Sequence, residues 1–369
     1  MSLCLSILAA LATSAPPNTV QVAPAERGHP PGFVVAPGGT RFVPWGFNYD
    51  HDENSRLLED YWANEWPKVE QDFAEMKELG AAVVRIHLQV NKFMKGADEP
   101  NKESLALLKK LLKVADQNAL KLDITGLACY RESDTPAWYD ALDEAGRWKA
   151  QARFWTAVAE TCVESPAVFC YDLMNEPVVS GTARKSGEWL GGAFGGFCYV
   201  QFINLDAKGR PREEIAKAWI ATLAAAVRKA DPHHLVTLGM TDWSTSRPKT
   251  LYSGFEPKVV AGPLDFVSVH LYPEAGEAKR EEALTVLKRF AVEGKPVVIE
   301  ETFPLKCGAD DQREFLEASR AVASGWVGFY WGKSADEYRK GKTISDAITA
   351  GWLDLFRSLT PGMTATPGQ

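Results

Sequence analysis

From residue 41 onward, short apolar runs alternate with longer amphipathic stretches. The runs are Arg41–Phe47, Ala82–Leu88, Leu120–Gly126, Ala167–Met174, His234–Gly239, Asp265–Leu271, Pro296–Glu301 and Trp326–Trp331. None alternates cleanly between apolar and polar residues, so each predicts a strand buried on both faces. Between the runs, Val69, Phe73, Met76 and Leu79 share one face of a helix that Gly80 ends. Leu105, Leu108, Leu112 and Ala115 mark the next. Further helices are predicted over Arg147–Val163, Glu213–Lys229, Glu281–Glu293, Gln312–Ala323 and Ala347–Leu359, and Asp231-Pro232 stops the one before the fifth strand.

Strands alternating with helices pair in parallel through crossovers. Eight such units favour a closed (β/α)8 TIM barrel, an α/β fold in a single domain, over an open sheet. No glycine-rich phosphate loop follows the first strand, which counts against a nucleotide-binding doubly wound sheet. The expected layout is a leader over 1–15, a linker and lead-in strand over 16–40, the barrel over 41–360 and a tail over 361–369. The connection after the fourth strand, 178–210, is unusually long and contains Gly191-Gly192-Ala193-Phe194-Gly195-Gly196-Phe197. It predicts a loop: a substrate wall or lid, or equally a structural flap.

Composition narrows the partners. The net charge of −7 over 369 residues gives no basic face for nucleic acid. The run Leu3–Leu11, followed by Ala12-Thr13-Ser14-Ala15, predicts a secretory signal peptide and a secreted or periplasmic protein, with no transmembrane span elsewhere. Without the leader, Cys129, Cys162, Cys170, Cys198 and Cys307 remain, in no zinc-binding spacing. One disulfide is possible, and an odd thiol is left over. The twelve tryptophans fit a cleft that stacks sugar rings, although most should serve the core.

In such a barrel, residues at the carboxyl ends of the strands converge on one pocket. Those positions hold Asn48 and Tyr49; Arg85 and His87; Thr125, with Tyr130 and Arg131 nearby; Asn175 and Glu176; Asp242 and Trp243; His270 and Tyr272; Glu300 and Glu301; and Trp331 and Lys333. Two carboxylates on distant strands at one rim match glycoside hydrolysis: one protonates the leaving oxygen, the other attacks the anomeric carbon or activates water.

Val168-Phe169-Cys170-Tyr171-Asp172-Leu173-Met174-Asn175-Glu176-Pro177 resembles the fourth-strand signature of glycoside hydrolase family 5 and its clan A relatives. Phe266–Pro273, with His270 and Tyr272, resembles the sixth strand, and Pro296–Phe303 the seventh. Gly46-Phe47-Asn48 is similar to the first-strand Gly-x-Asn. The resemblance covers about residues 40 to 358. It implies a retaining β-glycosidase with Glu176 as acid/base and Glu301, five residues after Pro296, as nucleophile. It further implies Asn175 on the sugar 2-hydroxyl, Arg85 on the nucleophile, His270 and Tyr272 lining the site, and Trp331 under the sugar. No metal or cofactor is implied, and the substrate is a β-linked glucan or mannan, or an oligosaccharide from one. Two departures leave the subfamily open. Thr125 ends the third strand where His is common, a role His87 can share, and Thr302-Phe303-Pro304 follows the nucleophile instead of an aromatic residue and Gly.

Other readings stand beside these. Glu300 competes with Glu301, and strand alternation lets only one of them face the sugar. Asn48, His87 and Trp243 are substrate-binding candidates with a packing role as the alternative. Asp50, His51, Asp52 and Glu53 read as a solvated loop, not as metal ligands. Tyr61, Trp62 and Trp66 fit either an outer sugar platform or helix packing. Exo action on short chains, transglycosylation by the same residues, a non-catalytic carbohydrate-binding barrel and a metal-dependent hydrolase are the rival functions.

Overall fold

The computed structural model describes residues 15–26, 28–246 and 252–365. The predicted leader, apart from Ala15, therefore lies outside the described residues. Eight parallel strands close into a barrel: Trp45–Tyr49, Val83–Gln89, Lys121–Ala128, Val168–Asn175, Leu235–Thr241, Val267–His270, Val297–Glu301 and Gly325–Phe329. The eighth pairs with the first, Phe329 opposite Asn48, which closes the ring. Nearly every strand residue is buried, as the unbroken apolar runs require. Helices Trp66–Glu78, Lys102–Gln117, Glu144–Cys162, Arg212–Ala230, Glu277–Phe290, Ala309–Ser319 and Ile344–Thr364 form the outer layer. Their starts carry local signals. Asn101 accepts a hydrogen bond from the Glu103 amide, Asp143 from Gly146 and Thr343 from Asp346, supplying partners for otherwise orphaned first-turn N–H groups.

Two boundaries differ from the sequence reading. Residues 16–40 are not merely a linker. Val20–Ala23, Gly32–Val35 and Thr40–Phe42 form a three-stranded antiparallel sheet that also takes Arg41 and Phe42 from the expected first barrel strand. The Pro and Gly content marks the tight turns between these short strands, not an extended tether. This sheet plugs one end of the barrel. Phe33 is buried edge-on between Phe169 and Phe266, at ring-centroid distances of 5.2 Å to each, and Val20 joins Val83, Leu235, Val298 and Val327 around them. At the other terminus, the last helix runs through 361–364 of the expected tail and buries Trp352, Phe356, Leu359 and Met363. The Trp352 ring lies so close over Gly328 that a Cβ there would sit 1.9 Å from it, so the eighth strand needs glycine at that point.

Tyr61, Trp62 and Trp66 are buried, which settles them as packing. All five described cysteines are free thiols. No helix among the described residues is long and apolar enough to cross a membrane.

Truncating Phe33 to Ala should leave a cavity in the plug and cost about 3 kcal/mol or more. Urea unfolding should show the lower midpoint. Because the plug is at the end of the barrel opposite the carboxylates, the folded variant should keep its turnover.

Candidate active site

The carboxyl ends of the strands bring the sequence-predicted residues together around Arg85. Its guanidinium is fully buried at the barrel centre. Nη1 donates to Glu301 Oε1 at 2.7 Å and to Asn48 Oδ1 at 2.8 Å. Nη2 donates to Asp172 Oδ2 at 2.7 Å and to Asn175 Oδ1 at 2.9 Å. A planar fork with five donors suits this task, because it fixes four acceptors from three strands at once. Asp172 is itself fixed by the Gly239 amide at 2.7 Å and the Thr125 hydroxyl at 2.8 Å. Burial and the neighbouring Glu300 push Asp172 up to about 6, against the pull of Arg85. Gly239 has to be a glycine: a Cβ there would lie 2.8 Å from His270 Nε2 and 3.0 Å from Arg85 Nη2.

Glu176 sits just past the fourth strand, with φ of +47°. That left-handed conformation is uncommon for a residue with a side chain and is typical of strained functional positions. Its amide is pinned to Gly239 O at 2.9 Å. His270 Nδ1 lies 3.0 Å from Glu176 Oε1 and 3.4 Å from Glu301 Oε2. Glu176, His270 and Glu301 each place one polar atom within 4.8 Å of the others. The Tyr272 hydroxyl donates to Glu301 Oε2 at 2.7 Å. Burial first, then the Glu301 charge, push the Tyr272 phenol well up, so it stays a donor. His270 is buried, which opposes its charge, yet Glu301, Glu176 and Glu300 together push it up to about 10.

Strand alternation does not hold at the seventh strand. A bulge between the sixth and seventh strands pairs Val269 with Ile299 but His270 with Glu301, skipping Glu300. The extra residue turns Glu300 inward as well. It lies fully buried, 3.9 Å from Arg85 Nε and 3.8 Å from His270 Nε2, while Glu301 keeps a solvent-accessible edge.

Several substrate-binding assignments shift from the sugar to the support beneath it. Asn48 has no exposed surface; its amide donates to Glu300 O and Gly328 O while its oxygen receives Arg85. Arg85, equally buried, reaches Glu301 and not the solvent side. His87 is 3% exposed, bonds the Tyr130 hydroxyl and Asn48, and is kept neutral by burial and by Arg85. Asn175 is 1% exposed and donates to Tyr199 O at 3.2 Å. Trp331 and Trp243 are half-buried at the rim, Trp243 in the short turn Asp242–Thr245.

The 50–53 segment is not the solvated loop the sequence suggests. Asp52 is fully buried and takes the Asn54 and Arg56 amides and the Arg56 side chain; Asp50 is almost as buried. His51 stacks between Phe197, at 5.2 Å, and Trp331, at 5.9 Å. Phe197 belongs to the 178–210 insertion, and so does Tyr199, whose phenol lies close to Asp50. The insertion therefore walls the site with Phe197, His51 and Trp331 in one row. Its tip turns back through Gly195 and Gly196, both at positive φ, pairing Phe194 with Phe197 and leaving Phe194 68% exposed. Nothing in the local sequence marks Phe197 or Tyr199, because their role comes from where a long loop lands.

Such a site can hold an ionised carboxylate between two donors beside a second carboxyl, with aromatic faces above. Comparisons with known proteins agree with this chemistry. Mannan endo-1,4-beta-mannosidase A of Podospora anserina is 24% identical over 66% of this chain, and probable mannan endo-1,4-beta-mannosidase F of Emericella nidulans is 23% identical over 60%. The chain spans 63% and 47% of the lengths of these two relatives. An exo-beta-1,4-mannosidase from Opitutaceae bacterium strain TAV5 shares the fold with a TM-score of 0.67 at 17% identity, covering 93% of this chain and 62% of that one. GH5_18 from Bifidobacterium longum subsp. longum, solved with Manb1-4GlcNAc, does so with a TM-score of 0.64 at 15% identity, over 88% and 80%. Residues 45–335 match the family described as Cellulase (glycosyl hydrolase family 5), and the chain belongs to that family.

Proposed function

We propose that the protein is a retaining glycoside hydrolase that acts on β-linked mannosides and removes sugars from a chain end. The observation that carries the reaction type is the close approach of Glu176 and Glu301, with polar atoms within 4.8 Å. Retaining enzymes hold their carboxyl groups about 5–5.5 Å apart, whereas inverting enzymes need about 6.5–9.5 Å to admit a water. Glu301, held in aim by Arg85 and Tyr272, attacks the anomeric carbon. Glu176, in its acid form, delivers its proton to the leaving oxygen. Glu176 then takes a proton from water, which attacks the glycosyl-enzyme and restores Glu301. Trp331 gives the sugar an apolar face to stack on, and Asn175 lies one residue from the acid/base.

The mannoside assignment draws on the relatives in both comparisons. Exo action draws on the insertion, since Phe197, His51 and Trp331 form a wall against one side of the site. Endo action is the second reading, favoured by the names of the two curated relatives. Export, supported by the apolar run Leu3–Leu11, belongs to the same proposal.

Glu301→Ala should lower turnover on an aryl β-mannoside by about 10⁴-fold or more, since removing the nucleophile removes the covalent route. Azide should restore turnover and give the glycosyl azide of inverted configuration, read by NMR. Near-wild-type activity without azide would move the nucleophile elsewhere. On reduced mannohexaose, exo action yields mannose and a ladder shortened one sugar at a time; early appearance of internal fragments would establish endo cleavage. N-terminal sequencing of the protein from the culture medium should begin close to Ala15, and a start at Met1 or Ser2 would refute export through this leader.

A further inference from the structure

Beneath the two reacting carboxylates lies a second ionisable cluster that the mechanism does not use. Asp123, Cys170 and Glu300 are fully buried, and each places an atom within 4.8 Å of the others. No donor from any other described residue reaches any of the four carboxylate oxygens of Asp123 and Glu300. The nearest cations stand off from one Glu300 oxygen, Arg85 Nε at 3.9 Å and His270 Nε2 at 3.8 Å. Two ionised carboxylates in contact in a dry interior repel each other and lack partners; one proton held between them removes both penalties.

We propose that Asp123 and Glu300 share one proton as a buried acid–carboxylate pair, and that the charge left on Glu300 makes it a positioning residue, acting through His270 on Glu176 and Glu301. Burial and the adjacent Glu300 push the Asp123 carboxyl well up. Burial opposes the charge of Glu300, but Arg85 and His270 hold it below the usual carboxylate range. The imidazole is the link, because its Nε2 faces Glu300 while its Nδ1 faces Glu176 and Glu301. The other ionisable groups facing these residues are Arg85, His87, Cys170, Asp172, Tyr199, Asp242 and Tyr272. With Glu300 negative, His270 stays an imidazolium and attracts both reacting carboxylates. Without that charge the attraction weakens, and both limbs of the bell-shaped pH profile move to higher pH.

The pH arm rests on the function proposed above; an infrared arm does not. Infrared spectra of the full-length protein at about pH 8, well above the ordinary carboxyl range, should show a carboxylic-acid C=O band that Asp123→Asn removes. The kcat/KM profile on an aryl β-mannoside is then compared for wild type, D123N, E300Q and the double variant. An amide at either position leaves one carboxylate in the pair, so each single variant should shift the limbs by less than half of the double's shift. The double variant, which has no charge there, should shift both limbs upward by about one pH unit, the scale of losing one buried charge. Wild-type limbs in a folded double variant would overturn the coupling through His270. A band that survives in D123N would overturn the shared proton. Stoichiometric divalent metal in the purified wild type, lost in the double variant, would show that the cluster holds a cation instead. If the double variant does not fold, the infrared comparison of wild type and D123N still decides the proton. If the wild type turns over no β-glycoside, the functional proposal fails while the infrared result stands.

Discussion

The site depends on one buried guanidinium. Arg85 has no access to solvent, so each of its hydrogen bonds has to come from the protein. Asn48, Asp172, Asn175 and Glu301 meet that demand at its two terminal nitrogens, from the first, fourth and seventh strands. Moving any one strand would strand a charge in the interior, a penalty of several kcal/mol. The cation thus ties barrel register to the position of Glu301. It also explains why so many rim polar groups are buried: they complete the shell of Arg85 before they face any sugar.

Much of this could be read from the chain. The eight strands and the outer helices follow from apolar runs and helical faces, with ends displaced by a few residues. The motif around Asn175-Glu176-Pro177 and the spacing from Pro296 pointed to the two residues that the structure brings together. What the sequence hides is local irregularity. Alternation places Glu300 on the outer face, and a bulge, which depends on pairing with the sixth strand, brings it inside. Asp50 and Asp52 look solvated because four polar residues follow one another after the first strand; the covering groups come from Arg56 and from the distant insertion. The same limit applies to 16–40, where turn-forming residues masked three strands too short to leave a periodic signal.

The insertion links recognition to chemistry. Tyr199 contributes a backbone carbonyl to Asn175 and sets its phenol close to Asp50, and Phe197 supports His51 against Trp331. A loop that shapes the outer cleft therefore also holds the Asn175 amide, next to Glu176. Changing its length would alter both at once, so the wall is not an independent module for tuning specificity.

The plug carries a consequence for how the chain reaches this state. Phe33 belongs to one of the earliest segments, yet its partners Phe169 and Phe266 come from the fourth strand and from just ahead of the sixth, and Pro31 receives Ser324 next to the eighth. Those contacts exist only once the ring is nearly complete. During synthesis the first strands can pair with one another, but the Phe33 face must wait, exposed, while almost the whole barrel is made behind it. Such long-range closure makes assembly slow. The beginning of the chain is the last part to lock into place, and until it does, the floor of the barrel lies open.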